Sequence, residues 1–255
     1  MWKPVLAMAA AMVIGATPIH AAELKVFVGG AMTETVEKIG AQFARSSGNK
    51  LDYVSDTTGA LLNRLKAGEK PDVIVVTAPA MDGLQKDGTL ISGSRAELVR
   101  ALIGVAMKPG GKAPDLSSPD SFKQALLAAR SVSYVNPKAG GTSGTYFEGL
   151  LAKMGIAEQM KPKIVYRNQG SEVADAVAKG DAELGVSFIA ELAPNKGVKV
   201  AGALPDAIQL PTNYAAAIPS AAAAANQSAA KAFIAAMTSP SGTAVFKAAG
   251  LEPLH

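Results

Sequence analysis

The chain contains no cysteine and only two histidines: His20 lies near the start, and His255 is the last residue. No disulfide can staple the fold, so its stability has to come from core packing. The interior of the chain also lacks the imidazole and thiol on which most acid–base and nucleophilic catalysis relies. Aromatic residues make up only 5% and are not interleaved with a Lys/Arg cluster, which argues against nucleic-acid binding. No loop carries the spaced acidic ligands of a calcium motif, and neither a metal bound directly by the protein nor a cofactor is expected. Short-period internal repeats are absent too, which argues against a structural array.

Against these absences stands a chain of 255 residues that is 49% hydrophobic, enough for a sizeable core. Its formal net charge of +4 includes Lys3. Met1 to Ala22 has a short basic start, an apolar run from Val5 to Ala16 and small residues at Ala21 and Ala22. That is the pattern of a cleaved export signal, cut after Ala21 or Ala22. The apolar run falls short of the roughly 20 residues that span a bilayer. The expectation is a soluble, monomeric protein exported to a bacterial periplasm.

Beyond the leader, strand-like and helix-like segments alternate. Lys25 to Val28, Leu51 to Val54 and Asp72 to Thr77 read as strands; Met32 to Arg45 and the stretch after Thr57 read as helices between them. The second half repeats βαβαβ with strands at Ser131 to Val135, Ile164 to Tyr166 and Leu184 to Phe188. Glu97 to Lys108 reads as a crossover strand, Ile208 to Ile218 as an extended return, and Ala221 to Met237 and Gly242 to Ala249 as Ala-rich helices. The fold class is therefore α/β: two lobes, each an open, mostly parallel sheet flanked by helices, joined by two crossing hinge segments. Lobe 1 is expected over residues 23–103 plus 210–255 and lobe 2 over 104–209. A single sheet carrying all the strands is the alternative.

The functional signal is the placement of Gly and hydroxyl residues where helices begin. A helix N-terminus offers unpaired N–H groups and about half a positive charge, and so accepts an anion without a side-chain cation. Four such starts follow strands: Gly30-Ala31-Met32-Thr33, Asp56-Thr57-Thr58-Gly59, Gly141-Thr142-Ser143-Gly144 and Gly170-Ser171. All fall at the carboxyl ends of strands, where open α/β sheets bind ligands. Capping of their own helices is the bland alternative for each hydroxyl. Thr145 and Glu148 also have capping-box spacing.

With these segments in view, the chain resembles the molybdate-type periplasmic solute-binding proteins of ABC importers, of the type II periplasmic-binding fold. The resemblance is carried by Val26 to Thr33, by Thr57-Thr58-Gly59-Ala60-Leu61 with Ala67-Gly68 and Pro71-Asp72-Val73-Ile74, and by Gly180 to Val186. It implies a protein that captures a small anion between two lobes and hands it to a membrane permease. In that family the oxyanion is held by a hydroxyl and backbone at the first loop, a Ser at the second, backbone at two helix starts of the second lobe, and a Tyr hydroxyl. Carried over, these positions fall on Ala31 with Gly30 and Met32 beside it, on Thr58 next to Thr57, on Ser143 with Thr142, near Gly170 or Ser171, and on Phe188. Two hydroxyl donors are missing, at Ala31 and Phe188. At roughly 1 to 3 kcal/mol for each unmet buried hydrogen bond, the selectivity can move from molybdate toward a small organic carboxylate. Arg167 is a candidate to grip such a carboxylate, and Tyr214 a candidate to reach the cleft from the returning segment.

An enzyme is the remaining class. Ser47-Gly48-Asn49-Lys50 satisfies Ser-x-x-Lys but lies at a helix end, and Gly141 to Thr145 departs from Gly-x-Ser-x-Gly at its last position. A Ser-dependent hydrolase would also lack a histidine to partner Ser143. No catalytic residue is expected.

Overall fold

The computed structural model describes residues 21–255. Apart from Ala21 and Ala22, the expected export signal lies outside the described residues. No helix among the described residues is long and apolar enough to cross a membrane.

The first half folds as alternating strands and helices: β1 (Glu23–Gly29), α1 (Thr33–Ser47), β2 (Lys50–Asp56), α2 (Thr58–Lys66), β3 (Val73–Thr77) and α3 (Ala78–Lys86). β1 pairs in parallel with both β2 and β3, so Val26 faces Tyr53 on one side and Val73 on the other. Burial on both sheet faces explains the unbroken apolar runs: every residue of β3 is buried. Gly48 ends α1 in the left-handed conformation (φ +74°), which costs a glycine nothing.

The segment read as one crossover strand is two strands. β4 (Ala96–Ala101) belongs to the first sheet and β5 (Ile103–Met107) to the second, with Leu102 between them. Lobe 2 continues with α4 (Pro119–Ala128), β6 (Val132–Val135), α5 (Thr142–Lys153), α6 (Ala157–Met160), β7 (Ile164–Arg167), α7 (Gly170–Lys179), β8 (Leu184–Phe188), α8 (Ile189–Leu192) and β9 (Lys199–Ala203). The chain then returns as β10 (Thr212–Ala217), α9 (Gln227–Thr238), α10 (Pro240–Ala248) and the short β11 (Glu252–Pro253). α9 begins six residues later than the alanine run predicts. Pro219 and the turns that follow it cannot continue a helix, and a single 3₁₀ turn at Ala224–Asn226 precedes α9.

The six-stranded sheet has the order β11-β4-β10-β3-β1-β2 and the five-stranded sheet β7-β6-β8-β5-β9. Parallel pairs form the βαβ units, and the crossing strands β5 and β10 add antiparallel pairs, so both sheets are mixed. α9 returns to pack on α1, with the Phe43 and Phe233 ring centroids 5.3 Å apart. Burying each such side chain contributes about 1.5 to 3 kcal/mol. The two crossing segments are clasped by Gln209: its Oε1 accepts from the Ile103 N–H at 3.0 Å, and its Nε2 donates to the Ile103 carbonyl at 2.9 Å.

Candidate functional site

All four anticipated helix starts lie at strand ends that face the other lobe. β1 runs into a 3₁₀ turn at Gly30–Met32 before α1, β2 into α2, β6 through a short turn into α5, and β7 into α7. Of the hydroxyls singled out at these starts, only Thr57 caps its own helix, accepting from the Ala60 N–H at 3.2 Å. α5 and α7 begin after Gly141 and Gln169 with no side-chain cap, so their first-turn N–H groups and dipoles stay available to a ligand. Thr145 sits inside the first turn of α5 and donates to the Gly141 carbonyl at 2.9 Å, while Glu148 accepts from Tyr166 at 3.1 Å. The expected capping box does not form.

The starts enclose a cavity of about 20 Å³ lined by Gly30, Ala31, Asp56, Thr57, Thr58, Val135, Gly141, Thr142, Ser143, Gln169, Gly170, Phe188, Glu191 and Tyr214. That is room for about one water. It adjoins a chamber of about 440 Å³ that shares Gly30, Gln169, Gly170 and Glu191 with it and adds Thr33, Glu34, Glu37, Ser171 and Asp175. Ser171 therefore faces the chamber rather than the cavity. Met32 lines neither; it is fully buried in the core. Arg167 is also absent from both linings, because its guanidinium pairs with Asp181 at 2.8 Å. Tyr214 lines the cavity, with its ring edge-on to Phe188 at 6.0 Å.

The lobes touch beside the cavity. The Gly59 N–H at the start of α2 donates to the Gly140 carbonyl at 3.2 Å, and the Thr57 hydroxyl donates to the Ala139 carbonyl. A β-carbon at Gly59 would lie 2.8 Å from the Gly140 Cα, so only glycine lets the two backbones meet this closely. This is a closed arrangement.

Sequence reasoning missed Glu191. It stands on α8, directly after β8, and its carboxyl lies against Gly30 of lobe 1 and Gly170 of lobe 2. A β-carbon at Gly30 would come within 2.5 Å of Glu191 Oε1, and one at Gly170 would collide with the carboxyl outright. The Ser187 hydroxyl donates to Glu191 Oε2 at 2.6 Å, and Ser143 Oγ lies 3.3 Å from Ser187 Oγ. Burial pushes the Glu191 carboxyl up to about 7, against the opposing pull of hydrogen bonds from Ser187 and the Phe188 backbone. Burial likewise holds the Tyr214 hydroxyl well above its ordinary range, helped by the charge of Glu191. The available signal was a lone carboxylate inside the apolar run Val186 to Leu192. Gln169 and Asp56 also line the cavity, the latter accepting from the Thr57 N–H at 2.8 Å. Among the residues lining cavity and chamber there is no lysine or arginine.

A family model described as bacterial extracellular solute-binding protein matches residues 24–252. The chain is 30% identical to an aconitate isomerase from Pseudomonas sp, over 98% of this chain and 97% of that protein. It is 29% identical to the molybdate-binding protein ModA of Azotobacter vinelandii, over 68% of this chain and 67% of that one. The solved structure of the periplasmic molybdate-binding protein of Azotobacter vinelandii superposes with a TM-score of 0.72 at 24% identity, covering 89% of this chain and 98% of that one.

Proposed function

The chain belongs to the bacterial extracellular solute-binding protein family, and from that premise we propose that its cleft captures a small organic carboxylate and delivers it to an importer permease in the membrane. The observation that carries this reading is the apolar share of the cavity lining. It is built from Ala31, Val135, Phe188 and the Tyr214 ring. A tetrahedral oxyanion presents oxygen in every direction, and each oxygen pressed on carbon loses a hydrogen bond worth about 1 to 3 kcal/mol. A carboxylate has its oxygens at one end, where α5 and α7 offer uncapped N–H groups and Thr58 a hydroxyl. Its carbon skeleton suits the apolar wall. That one full-length relative is named for aconitate, a carboxylate, points the same way.

The oxyanion reading keeps one specific support: a relative named for molybdate is 29% identical to this chain, and a solved structure of such a protein shares its fold. A thermal-shift screen of residues 23–255 separates the two, using molybdate, tungstate, sulfate, phosphate and a panel of mono-, di- and tricarboxylates. Ligand at 100 times Kd stabilises by about 2.7 kcal/mol. Stabilisation by carboxylates alone is expected; stabilisation by molybdate and tungstate alone would return the site to the oxyanion class.

A further inference from the structure

We propose that the cleft takes up one proton with its anion and that Glu191 carries it: the carboxyl meets the ligand as a neutral O–H donor, so capture is tight while it is protonated and weakens as it ionises. This rests on the carboxylate reading of the same site and adds its regulation.

Three observations place the proton there. First, the Glu191 carboxyl fills the space between Gly30 of lobe 1 and Gly170, the first residue of α7. It lines both the cavity and the chamber, so an anion drawn to the uncapped start of α7 has this carboxyl as its neighbour. Second, the lining carries no compensating charge. Cavity and chamber add Asp56 from the end of β2, Glu34 and Glu37 from α1 and Asp175 from α7, and no lysine or arginine. β10 contributes the Tyr214 hydroxyl, which burial keeps protonated. β5 and β8, packed against α8, have no ionisable side chain, and Lys199 of β9 is exposed at the end paired with Met107. Lys38 and Lys196 line a separate groove beside Ala190 and Pro194. Third, the Ser187 hydroxyl donates to Glu191 Oε2 at 2.6 Å, leaving Oε1 to face Gly30 of the other lobe.

Two ionised carboxylates side by side in a dry site, with no cation between them, do not both keep their charge; one holds its proton to a higher pH than it would alone. The ligand carboxylate accepts from the first-turn N–H groups of α5 and α7, which favour its ionised form. The proton therefore falls to Glu191. Burial already pushes that carboxyl up to about 7, and a neighbouring anion raises it further. A protonated carboxyl has one O–H to donate. Given to a ligand carboxylate, it makes a charge-assisted hydrogen bond, about twice as strong as one between neutral partners. It supplies a donor to a cleft in which Ala31 and Phe188 offer no hydroxyl. The proton comes from solvent and returns there on release, and no bond within the ligand changes. Because ligand-bound Glu191 holds its proton more tightly than free Glu191, affinity is fully present below about 7 and falls as pH rises above it.

The test is calorimetric titration of residues 23–255 with acetate, succinate and citrate at pH 8, in HEPES and in Tris. These buffers differ in ionisation enthalpy, so the difference in heat counts the protons exchanged. Each acid that binds should bring about one proton with it, and its affinity should fall about 10-fold between pH 7.5 and 8.5, where the acids themselves stay ionised. Glu191→Gln keeps the shape and cannot ionise. It should bind without proton uptake, with an affinity level across that range and tighter than the parent at pH 8.5. Binding by the parent without proton uptake, or uptake that persists in Glu191→Gln, would overturn the proposal and leave the carboxylate reading standing. Failure of all three acids to bind would overturn both. Should Glu191→Gln fail to fold, the two-buffer measurement on the parent still decides.

Discussion

At the scale of single residues, the cleft combines side chains that the sequence points to with one that it hides. Thr58 and Ser143 stand in the first turns of α2 and α5, and both line the cavity. Thr58→Val keeps the shape and removes a donor, so ligand affinity should fall by about 5- to 10-fold, near 1 kcal/mol, with the melting temperature of the free protein unchanged; calorimetric titration checks it. Glu191 was hidden because its partners Gly30 and Gly170 are remote in sequence and lie in different lobes. Its folded-state value of about 7 stands above the ordinary 4.5, so between these pH values the folded chain keeps a proton that the unfolded chain releases. The contribution of Glu191 to stability is then fully present below about 4.5 and is lost as pH rises through about 7. Glu191→Gln should melt higher than the parent at pH 8 and converge with it near pH 4, as a pH series of thermal melts would reveal.

At the scale of elements, the βαβ alternation is legible because buried parallel strands such as Val73 to Thr77 need β-branched residues throughout, and Gly stops such as Gly48 and Gly180 end the helices between them. Less legible were elements defined by tertiary partners. β4 and β5 read as one apolar run, since only their different neighbours separate them at Leu102. β9, an edge strand rich in small residues, carries little pattern of its own. The four-residue α8, which bears Glu191, is too short to show a period. The start of α2 offers a direct test of closure. Gly59→Ala puts a better helix former into α2, favourable by roughly 1 kcal/mol in isolation, yet its β-carbon would lie 2.8 Å from the Gly140 backbone. The free protein should melt at the same temperature or higher while ligand affinity falls at least 10-fold, a split that ordinary destabilisation does not produce.

At the scale of the whole molecule, two lobes are joined by the Leu102 crossing and the 204–211 return, and the proposed capture requires an open state besides the closed one described. A ligand shifts that balance only by its differential affinity for the closed state, and the closed cavity of about 20 Å³ is too small for any organic acid without rearrangement. An acid held there therefore has to extend into the adjoining chamber of about 440 Å³. Gln209 ties both crossing segments to each other; Gln209→Ala should widen the distribution of lobe angles, seen as a larger radius of gyration of the ligand-free protein in X-ray scattering. That the chain has two lobes follows from its repeated βαβαβ pattern, whereas the meeting of Gly59 with Gly140 and of Gly30 with Glu191 depends on how the lobes close.

The central claim is that a carbon-lined wall turns this cleft toward organic acids. Competition calorimetry addresses it most directly, titrating a tricarboxylate and molybdate into the same sample, each alone and then in the presence of the other. Saturable binding of the carboxylate, undisturbed by excess molybdate, is the predicted result. Tight molybdate binding that no carboxylate displaces would contradict the account.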